Sequence, residues 1–259
     1  MLGRHRQYES DSHVFENPMS DFLSELDFFR REVLTAQQQF FIYLAMHRVP
    51  FDDPPVLDAM NREPLLWLTL RETSLQGAIT SLGRILDTSS HHNIGSLMKL
   101  TASNLDAFSQ ASLIQRKIEA GVSPEDAQSY VQGKHELVAE DVRELKREAA
   151  AVRRIWEDRY RDIRHKVYAH SELIQTSELF ARTRIDELVD MLDRLENLYD
   201  DLWEAFHNGR RPGTRKRTPL QFPLHANASR SRAGEDVYRQ AQTVLRRLAG
   251  VPDHDKCPT

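Results

Sequence analysis

The chain has 259 residues, 40% of them hydrophobic and 29% charged, which suits one large domain with appendages and a sizeable core. Its single cysteine, Cys257, excludes a disulfide framework and a cysteine metal site. A net charge of −4 gives no global pull on nucleic acid, so any such binding must come from local basic patches. No run of about 18 apolar residues announces a membrane span. The polar N-terminus has no apolar signal core, and together with the lone cysteine this fits a cytoplasmic protein.

Residues 1–19 are polar and read as a flexible N-terminus. Leu23, Leu26, Phe29, Val33, Phe40, Phe41 and Leu44 recur at helical spacing and predict a first helix from Asp21 to about His47. Pro50, Pro54 and Pro55 then predict a loop. Pro64 suits the first turn of a second helix reaching Leu86, with Leu68, Leu75, Ala78, Ile79, Leu82 and Ile85 as its stripe. Gly77 and Gly83 inside that helix each cost about 1 kcal/mol against alanine, so close packing is expected at them.

A polar loop follows from Asp87, with His91-His92 as a loop doublet lacking any cluster at metal-ligand spacing. An ordered segment resumes at Ser96, residues 101–120 read as a helix, and Ser123-Pro124 marks the start of another that ends near Val131. A long helix is expected from Glu136 to Val167. Residues 177–206 give the cleanest helical pattern, with Ile185, Leu188, Leu192, Leu195, Tyr199, Leu202 and Phe206 stepping by three and four. That seam serves a core or a dimer equally well. The acidic run Asp186, Asp190, Asp193, Glu196, Asp200 and Asp201 reads as its solvent face. Residues 209–232 hold seven basic residues and no acidic one, and read as a solvated basic linker or a nucleic-acid contact. A last short helix is expected over 235–248. No strand pattern competes, so the fold class is all-α, an up-and-down helical bundle over 20–207, with a basic linker over 208–234 and a short C-terminal helix and tail over 235–259.

Chemistry concentrates in Ile163-Arg164-His165-Lys166-Val167-Tyr168-Ala169-His170. Arginine carries a permanent charge on a planar fork suited to phosphate, and histidine exchanges a proton near neutral pH. On an ideal helix, residues six apart lie about 120° apart in rotation and about 9 Å apart along the axis. Arg164 and His170 therefore need a helix end or bend near Tyr168-Ala169, or a second subunit, to converge. By itself the pair reads first as a helix end whose cations face the C-terminal carbonyls, and only second as a catalytic pair. From Arg143 to Lys166 nine basic residues stand against five acidic ones, a surplus suited to RNA or a solvated face of ion pairs. Tyr160 and Tyr168 can stack on bases or pack in the core. Arg84 and Asp87 read as structural, capping or pairing near a helix end.

The run Arg164 to His170 resembles the arginine–histidine signature of HEPN domains, and its Arg-polar-Lys-x-x-Ala-His form resembles their abortive-infection, AbiU-type branch. Leu82-Gly-Arg84-Ile-Leu-Asp87, with Ser96-Leu97 beyond it, resembles a second segment of that branch. The resemblance covers about residues 20 to 206. The residue after the arginine departs from the Asn or Asp usual in active members: it is His165.

The resemblance implies a HEPN-like bundle acting as a metal-independent endoribonuclease in phage defence or a toxin–antitoxin pair. It implies a homodimer with two motifs facing across a cleft, an RNA substrate, an antitoxin or regulatory partner, and no cofactor or metal. Arg164 would hold the scissile phosphate, His170 would act as general acid or base, and His165 would orient the site or assist proton transfer. Arg161, Lys166 and Tyr168 would bind substrate. The alternative is a non-catalytic helical module that binds RNA or a protein partner, with His165 marking lost activity.

Overall fold

The structure, a computed structural model, is described for residues 18–169, 176–215, 217–220, 222 and 232–251. His170, Lys216, Arg230 and Cys257 lie outside the described residues. The described residues contain helices and no strand, as the sequence pattern requires.

The central element is α1 (Pro18–Asp52). Its predicted stripe is buried from Leu26 to Leu44, and only Leu23 faces out. The helix outruns the expected end at His47 because Pro50 falls in its last turn, where few hydrogen bonds remain to be lost. A short α2 (Pro54–Met60) replaces the expected proline loop, with Pro54 at its first position and Val56 buried. α3 (Pro64–Leu86) has the predicted bounds and packs along α1. At their contact a Cβ on Gly77 would meet the Gln39 side chain at 3.2 Å, so this glycine permits the close approach.

The expected 101–120 helix is instead two. Asn93 caps α4 (Ile94–Ser103) by accepting from Gly95 and Ser96 amides, and Ser109 caps α5 (Gln110–Glu119). A 3-10 turn, Leu105–Phe108, lies between them and buries Phe108 against Phe22 and Phe206, with ring centroids 5.2 and 5.5 Å away. Ser123 and Pro124 open α6 (Pro124–Val131) as predicted.

α7 (Ala139–Ile155) continues into two π-helical stretches, Trp156–Tyr160 and Ile163–Ala169. A short α8 (Thr176–Phe180) precedes α9 (Ile185–Asn208), which stops where Gly209 adopts a left-handed φ of 58°. The leucines of α9 are buried in the main core, so the seam is used within the chain. α10 (Ala233–Leu248) packs on α1 and buries Tyr238 and Leu245 in the same core. Gly234 passes so close to Phe41 that an added Cβ would sit 2.9 Å from its ring.

The linker differs from the solvated segment its composition suggests. Three of its described arginines lie on the acidic side of α9: Arg217 donates to Asp201 at 2.8 Å, Arg215 pairs with Glu204 at 3.2 Å, and Arg232 pairs with Asp193 and, at 2.6 Å, with Glu196, whereas Arg211 reaches Asp141 of α7 at 3.5 Å. The Leu220 amide donates to Asp193 at 2.7 Å and its side chain is buried. Of the carboxylates read as a solvent face, Asp186 and Asp190 are exposed as expected, whereas Asp193, Glu196, Asp200 and Asp201 are the seat for this strap.

Candidate active site

The site forms where the end of α3 meets the π-helical continuation of α7. α3 ends at Asp87, whose backbone turns extended while its amide still donates to the Gly83 carbonyl at 3.0 Å. The Ser90 hydroxyl donates to the same carbonyl at 3.2 Å, and the Ser90 amide donates to the Asp87 carbonyl at 3.1 Å, which folds the loop back onto the helix end. This leaves the Asp87 side chain only 3% exposed. A buried carboxylate is costly unless it is paired and hydrogen-bonded on both oxygens.

Asp87 has those partners. Its Oδ1 accepts from the indole Nε1 of Trp156 at 2.7 Å. Its Oδ2 accepts from Nη1 of Arg164 and lies 3.4 Å from Nε2 of His165. Three residues of the motif helix thus converge on one carboxylate at the end of another helix. Trp156 and Arg164 sit eight positions apart, and π-helical hydrogen bonding between them widens the turns. Ideal-helix arithmetic does not hold here, and the departure expected near Tyr168-Ala169 takes the form of the π-helical stretch Ile163–Ala169. Where His170 falls lies outside the described residues.

Gly83 makes room for the arginine. An added Cβ would stand 2.2 Å from Cδ and 2.3 Å from Nε of Arg164. The expected close packing at this glycine is therefore of a side chain over a helix, and the side chain is the candidate catalytic arginine. Nη1 of Arg84, beside it, donates to both carboxylate oxygens of Glu32 of α1 at 2.8 Å.

A shallow polar cleft of about 260 Å³ opens beside the cluster, lined by Asp87, Thr88, Ser89, Glu157, Arg161 and His165. Arg161 and His165 are thus brought to one opening next to Arg164. Lys166 is not: it donates to Asp162 at 2.9 Å, and that hydrogen bond holds the Asp162 carboxyl below its usual range. Tyr168 turns inward, its ring edge-on to Phe180 at 6.5 Å, its hydroxyl enclosed and its pKa raised by burial. The structure does not bring it to the cleft as a stacking platform. Tyr160 is also core, with its hydroxyl donating to the Arg184 carbonyl and to Glu187. His92 is not free in its loop, because Nδ1 lies 2.7 Å from Glu25 and its ring packs on Phe28. Among the described residues, no group of three or more His, Cys, Asp or Glu could hold a metal ion.

The sequence pointed to Asp87 as a pairing residue without naming its partner. Trp156 went unnoticed as a site residue. Its one signal is an indole on the inner face of an otherwise charged helix, a group that needs a hydrogen-bond acceptor when buried.

The family model HEPN_AbiU2, described as AbiU2, matches residues 19–228. The chain belongs to the AbiU2 family of HEPN domains. The match begins at the start of α1, includes both converging segments, and ends inside the strap. No curated protein and no solved structure matches the chain. HEPN membership supports a nuclease or abortive-infection role at this coarse level.

Proposed function

We propose that this AbiU2-family protein is a metal-independent endoribonuclease of phage defence or a toxin–antitoxin pair, acting as a cytoplasmic homodimer. The observation that carries this reading is the buried Asp87 carboxylate fixing Arg164 and His165 at the mouth of a polar cleft. A guanidinium held in one rotamer needs no reorganisation when charge develops on a phosphate, and preorganised donors are the largest common term in such catalysis. Asp87 takes one Nη1 donor of Arg164, and a guanidinium carries five N–H groups in all.

The chemistry is internal transfer. The ribose 2′-hydroxyl attacks phosphorus as its proton passes to a base, the bond to the 5′-oxygen breaks, and that oxygen takes a proton from an acid. His170 is assigned the acid or base role and His165, within the cleft, assists proton transfer or orients the phosphate. RNA supplies its own nucleophile, so no metal-activated water is required. Across a homodimer, two such motifs would face one another and supply their groups to one cleft. An antitoxin or other regulatory partner would hold the activity in check.

A second reading, a non-catalytic module binding RNA or protein, draws on the same ion pair, since a buried carboxylate also anchors a purely structural arginine. Incubation of purified protein with RNA in EDTA separates them. Cleavage lost in both Arg164→Ala and His170→Ala, with circular dichroism unchanged, supports the nuclease. Cleavage that survives both substitutions contradicts it, and RNA binding without cleavage favours the module.

A further inference from the structure

The basic residues of the motif helix divide sharply by partner. Arg143 pairs with Glu140, Arg147 with Glu144, Arg153 with Glu157, Arg159 with Glu187, and the two already described pair with Asp87 and Asp162. Among the described residues Lys146, Arg154 and Arg161 make no ion pair, and all three are exposed. Arg154 and Arg161 flank the π-helical stretch Trp156–Tyr160, and both are exposed. His165 follows four residues on, and it shares with Arg161 the cleft walled by Thr88 and Ser89. Exposed Asp158, between the two arginines in sequence, is the one opposing carboxylate of this stretch without an ion pair among the described residues.

An unpaired exposed guanidinium can neutralise a phosphate and release the cations condensed on it, whereas a paired one has a neutralising carboxylate to give up first. We infer that Arg154 and Arg161 form a phosphate-binding track for single-stranded RNA, leading along the motif helix into the Thr88–Ser89 cleft and to Arg164. This rests on the ribonuclease reading and names where the flank of the substrate lies. The ten steps from Arg154 to Arg164 would rise about 15 Å as a plain α-helix, and the π-helical stretches between them shorten that, so the track spans only a few nucleotides. The track binds backbone and reads no base, so it contributes affinity without sequence preference.

The test uses the full chain and a fluorescent 2′-O-methyl oligouridine 12-mer, which lacks the free hydroxyl needed for cleavage. Binding is measured by anisotropy across a salt series for wild type, Arg154→Ala/Arg161→Ala and the paired-cation control Arg143→Ala. The double variant should bind about 10-fold more weakly at low salt, with the slope of log affinity against log salt shallower by about 1.4, at about 0.7 per contact. The control should stay within about twofold of wild type. With cleavable RNA, Arg154→Ala alone, which lies outside the cleft, should raise KM on a 12-mer more than on a trinucleotide too short to reach it. An unchanged salt slope, or an equal loss on the trinucleotide, overturns the track while leaving Arg164-dependent cleavage standing. A wild type that neither binds nor cleaves RNA overturns the track and the ribonuclease reading together.

Discussion

Two arginine–carboxylate clusters in this molecule look alike in composition and differ in what they leave open. On α9, Asp193, Glu196, Asp200, Asp201 and Glu204 take Arg215, Arg217 and Arg232 from the strap, so the carboxylates outnumber the cations and leave none of these three unpaired. At the end of α3 a single carboxylate serves Arg164, His165 and Trp156, and the cleft beside it keeps the cation of Arg161. The first arrangement neutralises and fastens. The second fixes an arginine while leaving positive charge over. The basic count of the linker is therefore no guide to a nucleic-acid site, whereas the imbalance around Asp87 is what the proposed RNA site rests on.

Protonation separates the clusters further. Burial pushes the Asp200 and Asp201 carboxyls above their usual range even though Arg217 opposes it. A raised carboxyl favours the fold most at pH below its ordinary value of 3.8, and that contribution is lost as pH rises through the folded value. The strap thus holds by ion pairing against a desolvation cost. Asp141 behaves oppositely. Burial raises it, but the Val138 amide at 3.0 Å, His135 at 2.6 Å and Arg211 outweigh that and hold it below 3.8.

The sharpest way to break the comparison is Asp87→Ala, which leaves Arg164 beside a vacated half-buried site. A loss of about 3–5 kcal/mol in urea unfolding is expected, together with loss of RNA cleavage. Gly83→Ala comes next: the methyl displaces the Arg164 side chain, costing about 1–3 kcal/mol of stability and about 10²-fold in cleavage rate. Trp156→Phe removes one donor to Asp87 and should cost about 1–3 kcal/mol in unfolding. Arg232→Ala, in the strap, should destabilise by about 1–3 kcal/mol with the cleavage rate per folded molecule unchanged; a large fall in rate would erase the distinction between the clusters. The smallest effect is Asp141→Asn, about 1–2 kcal/mol at pH 7, shrinking as pH falls through and below 3.8, read from unfolding at a series of pH values.

Helical periodicity made the bundle readable, because burial of one stripe leaves a strong sequence signal: α3 has its expected bounds and α9 its expected leucines. Capping chemistry marked α6 at Ser123-Pro124, yet the same chemistry at Asn93 and Ser109 was overlooked, which merged α4 and α5. The candidate site was readable at Arg164 and Asp87 separately, through a short motif and a helix end. Their contact was not, since it spans 77 positions and depends on a π-helical widening that has no periodic signature. The docking of Arg217 and Arg232 was hidden for a related reason: composition shows charges, and only the fold shows what faces them.

The most direct test of a carboxylate-positioned catalytic arginine is a double-mutant cycle on RNA cleavage in EDTA, using Asp87→Asn, Arg164→Ala and the two combined. The account predicts that Arg164→Ala abolishes cleavage, that Asp87→Asn reduces it about 10²-fold, and that the double variant is no worse than Arg164→Ala alone. Independent, additive losses, or cleavage that persists without Arg164, would contradict it.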